Sequence, residues 1–427
     1  MGQRLVIWAI LAVGLAGCRA PAPVCRSLPP SAPVPIPELP LTKPEPLTFD
    51  LSKLPNAPLQ LAAASETIAY RKLLEPQCQS LAARNSSLAN TLDDENRLTV
   101  SSDKCESESD RLKRTVRQLA ALESRNQSAA GAFERYFQLA DAEARAAIAR
   151  EAGPILDDLY EKAAGSKKAN LRYPLDPDDV NRQRGSLVTQ IEQADATIAA
   201  LNIDLRRRLA LPVASSEERL WPAGNFDIDP EPANTDEAVA AALKDRPELR
   251  SLRALHAGLN VNTLPTARDL LRSAVPLLSG GSTTGDPTSG LGPITKCLLA
   301  VHLRRMKPDP CAAAEVEIRK KQLADLIASR ERDTADETRV AVLALNAQTR
   351  RVAAARDRLD ERRKELAEAN RKWDARLIGS DLLLAQAKLE WLKARVDVLA
   401  EVMAWHQARV RLKAAMGWLA DEGGPGR

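Results

Sequence analysis

Apolar residues along this chain recur at helical rather than strand spacing over most of its length. Between Asp176 and Leu209, the residues Leu187, Ile191, Ala194, Ile198, Leu201 and Leu205 step alternately by four and three, which makes a heptad seam. Asp176-Pro177 opens that helix as an N-cap followed by proline in the first turn. Another helical stretch is predicted from Leu112 to Ala164, with a kink at Gly153-Pro154. From Ala314 to Leu377 no Gly or Pro interrupts, and Val352, Leu359, Leu366 and Trp373 repeat every seven residues. A helix of that span is roughly 90–100 Å long. Gly379 ends it, and a further helix is predicted from Ser380 to Met416.

This last helix carries two apolar columns. One is Leu382, Leu389, Val396, Met403 and Val410, and the other is Leu384, Trp391, Val398, Trp405 and Leu412. Lys388, Arg395 and Arg409 lie between them, and Glu390, Asp397 and Arg411 lie on another side. The columns are about 200° apart around the helix, so it has a neighbour on each side. Periodicity leaves two arrangements open: a stave in a wall of helices, or an inner member of an ordinary bundle.

The predicted fold class is all-α, with long antiparallel helices and coiled-coil hairpins in two imperfect repeats. The first helical repeat spans 59–220 and the second 314–417, followed by a tail at 418–427. Between the repeats, 221–313 reads as an irregular connector. Thr235-Asp236 caps a short helix ending near Lys244, and Arg246-Pro247-Glu248-Leu249 starts the next. Residues 279–293 are rich in Gly, Ser, Thr and Pro, without the GxxxxGK[ST] spacing of a phosphate loop.

Composition narrows the function. Six Trp, four Tyr and four Phe in 427 residues are few for a large α/β enzyme core or for the aromatic girdles of a membrane barrel. A net charge of +4 from 61 basic and 57 acidic residues does not point to nucleic acid. Three His leave little for a metal or acid–base site: His256 and His302 have Asp269, Asp309 and Ser273 nearby, but no GxSxG or HExxH motif is present. His406 falls on the apolar side of the last helix. No catalytic residue, cofactor or metal ligand is assigned.

The chain opens with Met1 to Arg4, basic, and Leu5 to Leu15, apolar and short for a membrane span. Leu15-Ala16-Gly17-Cys18 resembles the lipobox of bacterial lipoproteins. The resemblance implies a signal peptide at 1–17, cleavage before Cys18, and diacylation of its thiol by palmitate-like chains that hold the protein on a membrane. Residues 18–58, with Pro21, Pro23, Pro29, Pro30, Pro33, Pro35, Pro37 and Pro40, read as a semi-rigid extended linker. Cys297 and Cys311 flank a short loop that a disulfide could close, and Cys78 and Cys105 could join two helices; free thiols are the alternative for all of them.

Several runs, in order, resemble the TolC-like outer-membrane efflux protein family. They are Ala132-Phe-Glu-Arg-Tyr-Phe-Gln-Leu-Ala140, then Gly165, then Leu187 to Leu211. Asp236-Glu-Ala-Val-Ala-Ala-Ala-Leu-Lys-Asp-Arg-Pro-Glu-Leu-Arg250 follows, then Arg376-Leu-Ile-Gly379 and Leu382 to Ala387 with Leu389 and Ala394. The resemblance implies a homotrimer whose protomers contribute long helices to one periplasmic tunnel. It implies a periplasmic adaptor and an inner-membrane pump as partners, and passive conduction of small molecules. Gly379 then marks the helix-hairpin turn at the tunnel's periplasmic end. Arg19 after the lipid cysteine suits the outer membrane.

One departure stands out. The family's two membrane hairpins belong near 264–313 and before about residue 120. The first of these places reads as helix-like Ala267 to Leu278 interrupted by Pro276, and the second as polar, helix-like Asp93 to Leu119. The alternative expectation is therefore a lipid-anchored periplasmic coiled-coil interaction protein that has lost the membrane channel.

Overall fold

A computed structural model of the chain describes residues 41–42, 47–49, 59–61, 69–100, 107–169, 174–211, 218–224, 226–270, 311–377 and 379–420. Strands β1 (Leu41–Thr42), β2 (Leu47–Phe49), β3 (Leu59–Leu61) and β4 (Ala69–Leu74) come first. Helices α1 (Glu75–Arg84), α2 (Ser87–Val100), α3 (Glu108–Lys168) and α4 (Pro177–Arg208) follow. Strand β5 (Glu218–Ala223) and helices α5 (Thr235–Asp245) and α6 (Pro247–Gly258) connect to α7 (Ala312–Asp374) and α8 (Ser380–Met416).

The two halves repeat one plan: a helix of 61 or 63 residues, a turn, and a shorter antiparallel helix of 32 or 37. Local chemistry sets the helix starts. Ser107 accepts the Asp110 N–H at 3.1 Å, Asp176 accepts that of Asp178 at 3.1 Å, and Asn234 accepts that of Asp236 at 3.0 Å. Acidic first turns (Glu108, Asp110, Asp178, Asp179) and basic last turns (Lys167, Lys168, Arg206 to Arg208) complement the helix dipoles. Helix α3 continues through the expected kink site, with Pro154 inside it.

The strands were not legible in the sequence. β4 pairs in parallel with β5 and antiparallel with β1, while β2 and β3 form a separate antiparallel pair. Leu220, Trp221 and Ala223 are all buried, so β5 has no alternation to read. Pro222 sits in it because β5 is an edge strand, with β4 as its ladder neighbour. Thus Trp221, expected to open an irregular connector, is a core strand residue.

The few aromatics are concentrated. Three of the four Phe (Phe133, Phe137, Phe226) are buried together with Tyr70, Tyr136, Trp221 and Trp405. Tyr136 donates its hydroxyl to the Ala223 carbonyl at 3.0 Å, and Tyr70 meets Trp221 edge-on at 5.1 Å between centroids. His406 stacks on Phe137 at 5.0 Å, as its apolar position predicts. This core clamps α3, α8 and the β4–β5 pair at one level.

Candidate functional site, the helical wall and its ends

Both apolar columns of α8 are covered. Leu384, Val398, Trp405 and Leu412 on one side and Met403 and Val410 on the other are buried, because α8 packs against α7 and against α3. Helix α4 packs on α3 through its heptad seam, with Ile198 and Leu205 fully buried. The order is therefore α4–α3–α8–α7, and among the described residues α4 and α7 make no comparable contact with each other. An ordinary four-helix bundle would bring its first and last helices together; this is a row with two open edges. Each edge exposes large apolar side chains: Val188 (56%) and Ile203 (70%) on α4, Ile318 (60%), Val340 (66%) and Leu343 (64%) on α7.

Helix ends are closed by backbone geometry. At the α7–α8 turn, the N–H of Arg376 donates to Trp373 O at 2.9 Å and that of Leu377 to Lys372 O at 3.2 Å, a Schellman motif. Arg376 takes the left-handed position (φ 52°) normally held by glycine, and Gly379 takes a second one (φ 76°) just before α8. Nothing crowds a Cβ at Gly379, so its backbone angle alone favours glycine there. Trp373, Leu377 and Leu383 stand exposed around this turn.

Charge inside the wall is paired across helices. Arg395 of α8 reaches Glu151 of α3 and lies 4.7 Å over the Trp391 ring. Arg409 of α8 reaches Glu75 of α1 at 2.6 Å. Arg71 and Glu218 tie β4 to β5 with two bonds of 2.8 and 2.9 Å. Burial pushes the Glu143 carboxyl up to about 7, despite Arg219 and Arg150 nearby. Burial, with Arg409 adding to it, holds the His406 imidazole down to about 3.

A second core closes the end of the row away from the α7–α8 turn. Ala89 and Leu92 of α2, Leu112 and Val116 of α3, Leu255 of α6, Leu264 and Ala267 of a helical segment 264–270, and Val316 and Leu323 of α7 form one buried cluster. Arg117–Glu95 (3.0 Å) and Arg125–Asp93 bond α2 to α3, and Arg268–Glu315 (2.8 Å) bonds 264–270 to α7. The expectation of helix-like rather than strand-like sequence agrees with α2 up to Val100 and with α3 from Glu108, while 101–106 lie outside the described residues.

Of the residues singled out in the sequence, Cys18, Cys105 and Cys297 lie outside the described residues, as do His302, Asp309 and Ser273. Cys311 is exposed immediately before α7, and Cys78 is fully buried in the main core. Among the described residues no cluster of three or more metal-ligating side chains occurs, and no helix is long and apolar enough to cross a membrane.

No protein-family profile matches the chain, and no curated protein matches it by sequence. Solved structures do. The CmeC outer-membrane channel of Campylobacter jejuni superposes with a TM-score of 0.53 at 13% identity, covering 81% of this chain and 85% of CmeC. The fold is TolC-like. The open-state MtrE outer-membrane channel of Neisseria gonorrhoeae gives 0.52 at 12% identity over 80% of this chain and 88% of MtrE. CusC, a transmembrane channel, gives 0.52 at 13% identity over 80% of this chain and 91% of CusC. The structures matched are channels rather than enzymes.

Proposed function

We propose that this protein is the tunnel component of a tripartite export system, conducting small molecules passively and without covalent chemistry. The observation that carries this reading is the open row α4–α3–α8–α7 with apolar side chains on both edges. A row of this kind is completed by further copies: α4 of one protomer against α7 of the next is a heterologous contact, and repetition closes a ring. The TolC-like resemblance supports a ring of three protomers. It also supports a periplasmic adaptor and an inner-membrane pump as partners and the outer membrane as location, with the α7–α8 turn at Gly379 as the periplasmic end in this reading. Cys18 is the lipid anchor in this reading. The test is the native mass of the purified, lipidated chain together with its conductance in a planar bilayer. A trimer with discrete openings is expected; a monomer without openings overturns it.

One observation favours a second reading, a lipid-anchored periplasmic body that keeps the helices and has no membrane channel of its own. Between Val100 of α2 and Glu108 of α3 lie only residues 101–107. A membrane hairpin needs two strands of about 9–11 residues each, which this link is too short to supply. A trimer without conductance, released from membranes by Cys18→Ser, selects this second reading.

A further inference from the structure

At the Arg246-Pro247-Glu248 joint, two carboxyls from different helices meet without a donor. Glu123 Oε2 on α3 and Glu248 Oε2 on α6 are both buried, and neither receives a hydrogen bond from a protein donor. The two carboxyls are nevertheless within hydrogen-bonding reach of each other. An ionised carboxylate is an acceptor only, so two of them in contact, away from water, lack a hydrogen.

The surrounding charges give the same answer by counting. Arg246 binds Glu248 at 2.9 Å and Glu337 of α7 at 2.5 Å, and also reaches Thr334 Oγ1 at 3.3 Å. Arg330 of α7 binds Glu248 at 3.2 Å and Glu337 at 3.1 Å. Two guanidiniums are thus shared by two carboxylates, and Glu123, the third carboxyl, is bonded to neither. Its other oxygen accepts from the Gln127 amide at 2.6 Å. The turn after α8 packs here as well, through Gly417 against Arg246 and Pro247. Its Trp418 indole donates to Asp245, the last residue of α5, at 3.0 Å.

We propose that Glu123 holds a proton and donates it to Glu248, so that a shared proton latches α6 to α3 beside α7. The site takes a proton rather than a metal cation, since Arg246 and Arg330 already neutralise the carboxylates a cation would need. Burial first, and the Glu248 charge second, push the Glu123 carboxyl up to about 8, against the lowering effect of Gln127 and Arg246. The folded chain therefore holds a proton that the unfolded chain releases above its ordinary value near 4.5. The stability this proton contributes is full below about pH 4.5, falls progressively as the pH rises and is gone above about 8, where an unpaired charge is left buried at the joint.

The test compares the full chain with Glu123→Gln, whose amide supplies the missing donor at every pH. In a Glu143→Gln background, which removes the other raised carboxyl, infrared spectra are expected to show a protonated-carboxyl band at neutral pH that Glu123→Gln abolishes. The folding equilibrium constant of the wild type, relative to that of the variant, is expected to fall by about tenfold per pH unit between about pH 5 and 8. Absence of the band from Glu143→Gln overturns the proposal. Parallel pH profiles for wild type and Glu123→Gln overturn it equally, and the infrared measurement on Glu143→Gln stands whether or not the Glu123→Gln variant folds.

Discussion

Arg395 on α8 and Glu151 on α3 form an ion pair whose two ends are buried to very different extents: the guanidinium side chain is 5% exposed, the carboxylate 44%. The pair crosses the interface between the two repeats, which makes it a measure of how the wall is held together.

The asymmetry predicts unequal mutational costs. Glu151→Ala removes the carboxylate opposite a desolvated cation and is expected to destabilise the fold by about 3 kcal/mol. Arg395→Met keeps an apolar stem over Trp391 and leaves a carboxylate that water can reach, so its cost is expected to be under about half of that. Urea titration of both variants checks the order.

Backbone angles give a second prediction. Helices α4 and α8 occupy equivalent places in the two repeats and end in the same Schellman motif, with Ala210 at φ 50° in one and Gly417 at φ 78° in the other. Ala210→Gly is expected to stabilise by up to about 1 kcal/mol, because glycine removes the left-handed strain. Gly417→Ala is expected to cost more than that gain, since its Cβ would also stand 3.0 Å from Pro247 Cδ. Thermal unfolding of the two variants reads both signs.

Two buried groups predict opposite pH slopes. His406 folds with its imidazole lowered to about 3 from 6.5, so the unfolded chain binds the extra proton between those values, and stability is lost as pH falls below about 6.5. Glu143 folds with its carboxyl raised to about 7 from 4.5, so stability is lost as pH rises from about 4.5 to 7. In denaturation midpoints measured across pH, His406→Phe, stacked on Phe137, is expected to remove the loss below about pH 6.5, and Glu143→Gln the loss between about pH 4.5 and 7.

The edges of the row predict a separation of folding from assembly. Val340 and Leu343 are exposed on α7, so Val340→Asp with Leu343→Asp is expected to change the stability of the single chain by no more than about 1 kcal/mol. If the α7 edge meets α4 of the next protomer, the same pair of changes disperses the oligomer. Native mass and urea midpoint, taken on one preparation, check the two effects.

The sequence by itself determined where the helices are and which faces they cover. The N-cap at Asp176, the unbroken run into α7 and the two columns of α8 are local or periodic signals, legible because a helix satisfies its backbone within itself, whereas the cap of α5 is Asn234, one residue before the Thr235 the sequence suggested. Gly379 was legible as a break for the same reason, whereas Arg376 was not, because the left-handed angle it carries is favoured by glycine and is imposed here by the turn. Only the tertiary structure decided which helix stands beside which. A heptad column requires a neighbour without naming it, so periodicity left both wall and bundle open until α3 and α7 were placed on the two sides of α8. β4 and β5 pair across 149 residues, as at Ala69 and Glu218, and in β5 the burial of four consecutive residues, Leu220 to Ala223, erased the alternation that would have revealed it. The meeting of Glu123 with Glu248 was invisible for the same physical reason: it depends on where α3 and α6 cross, which no spacing along the chain encodes.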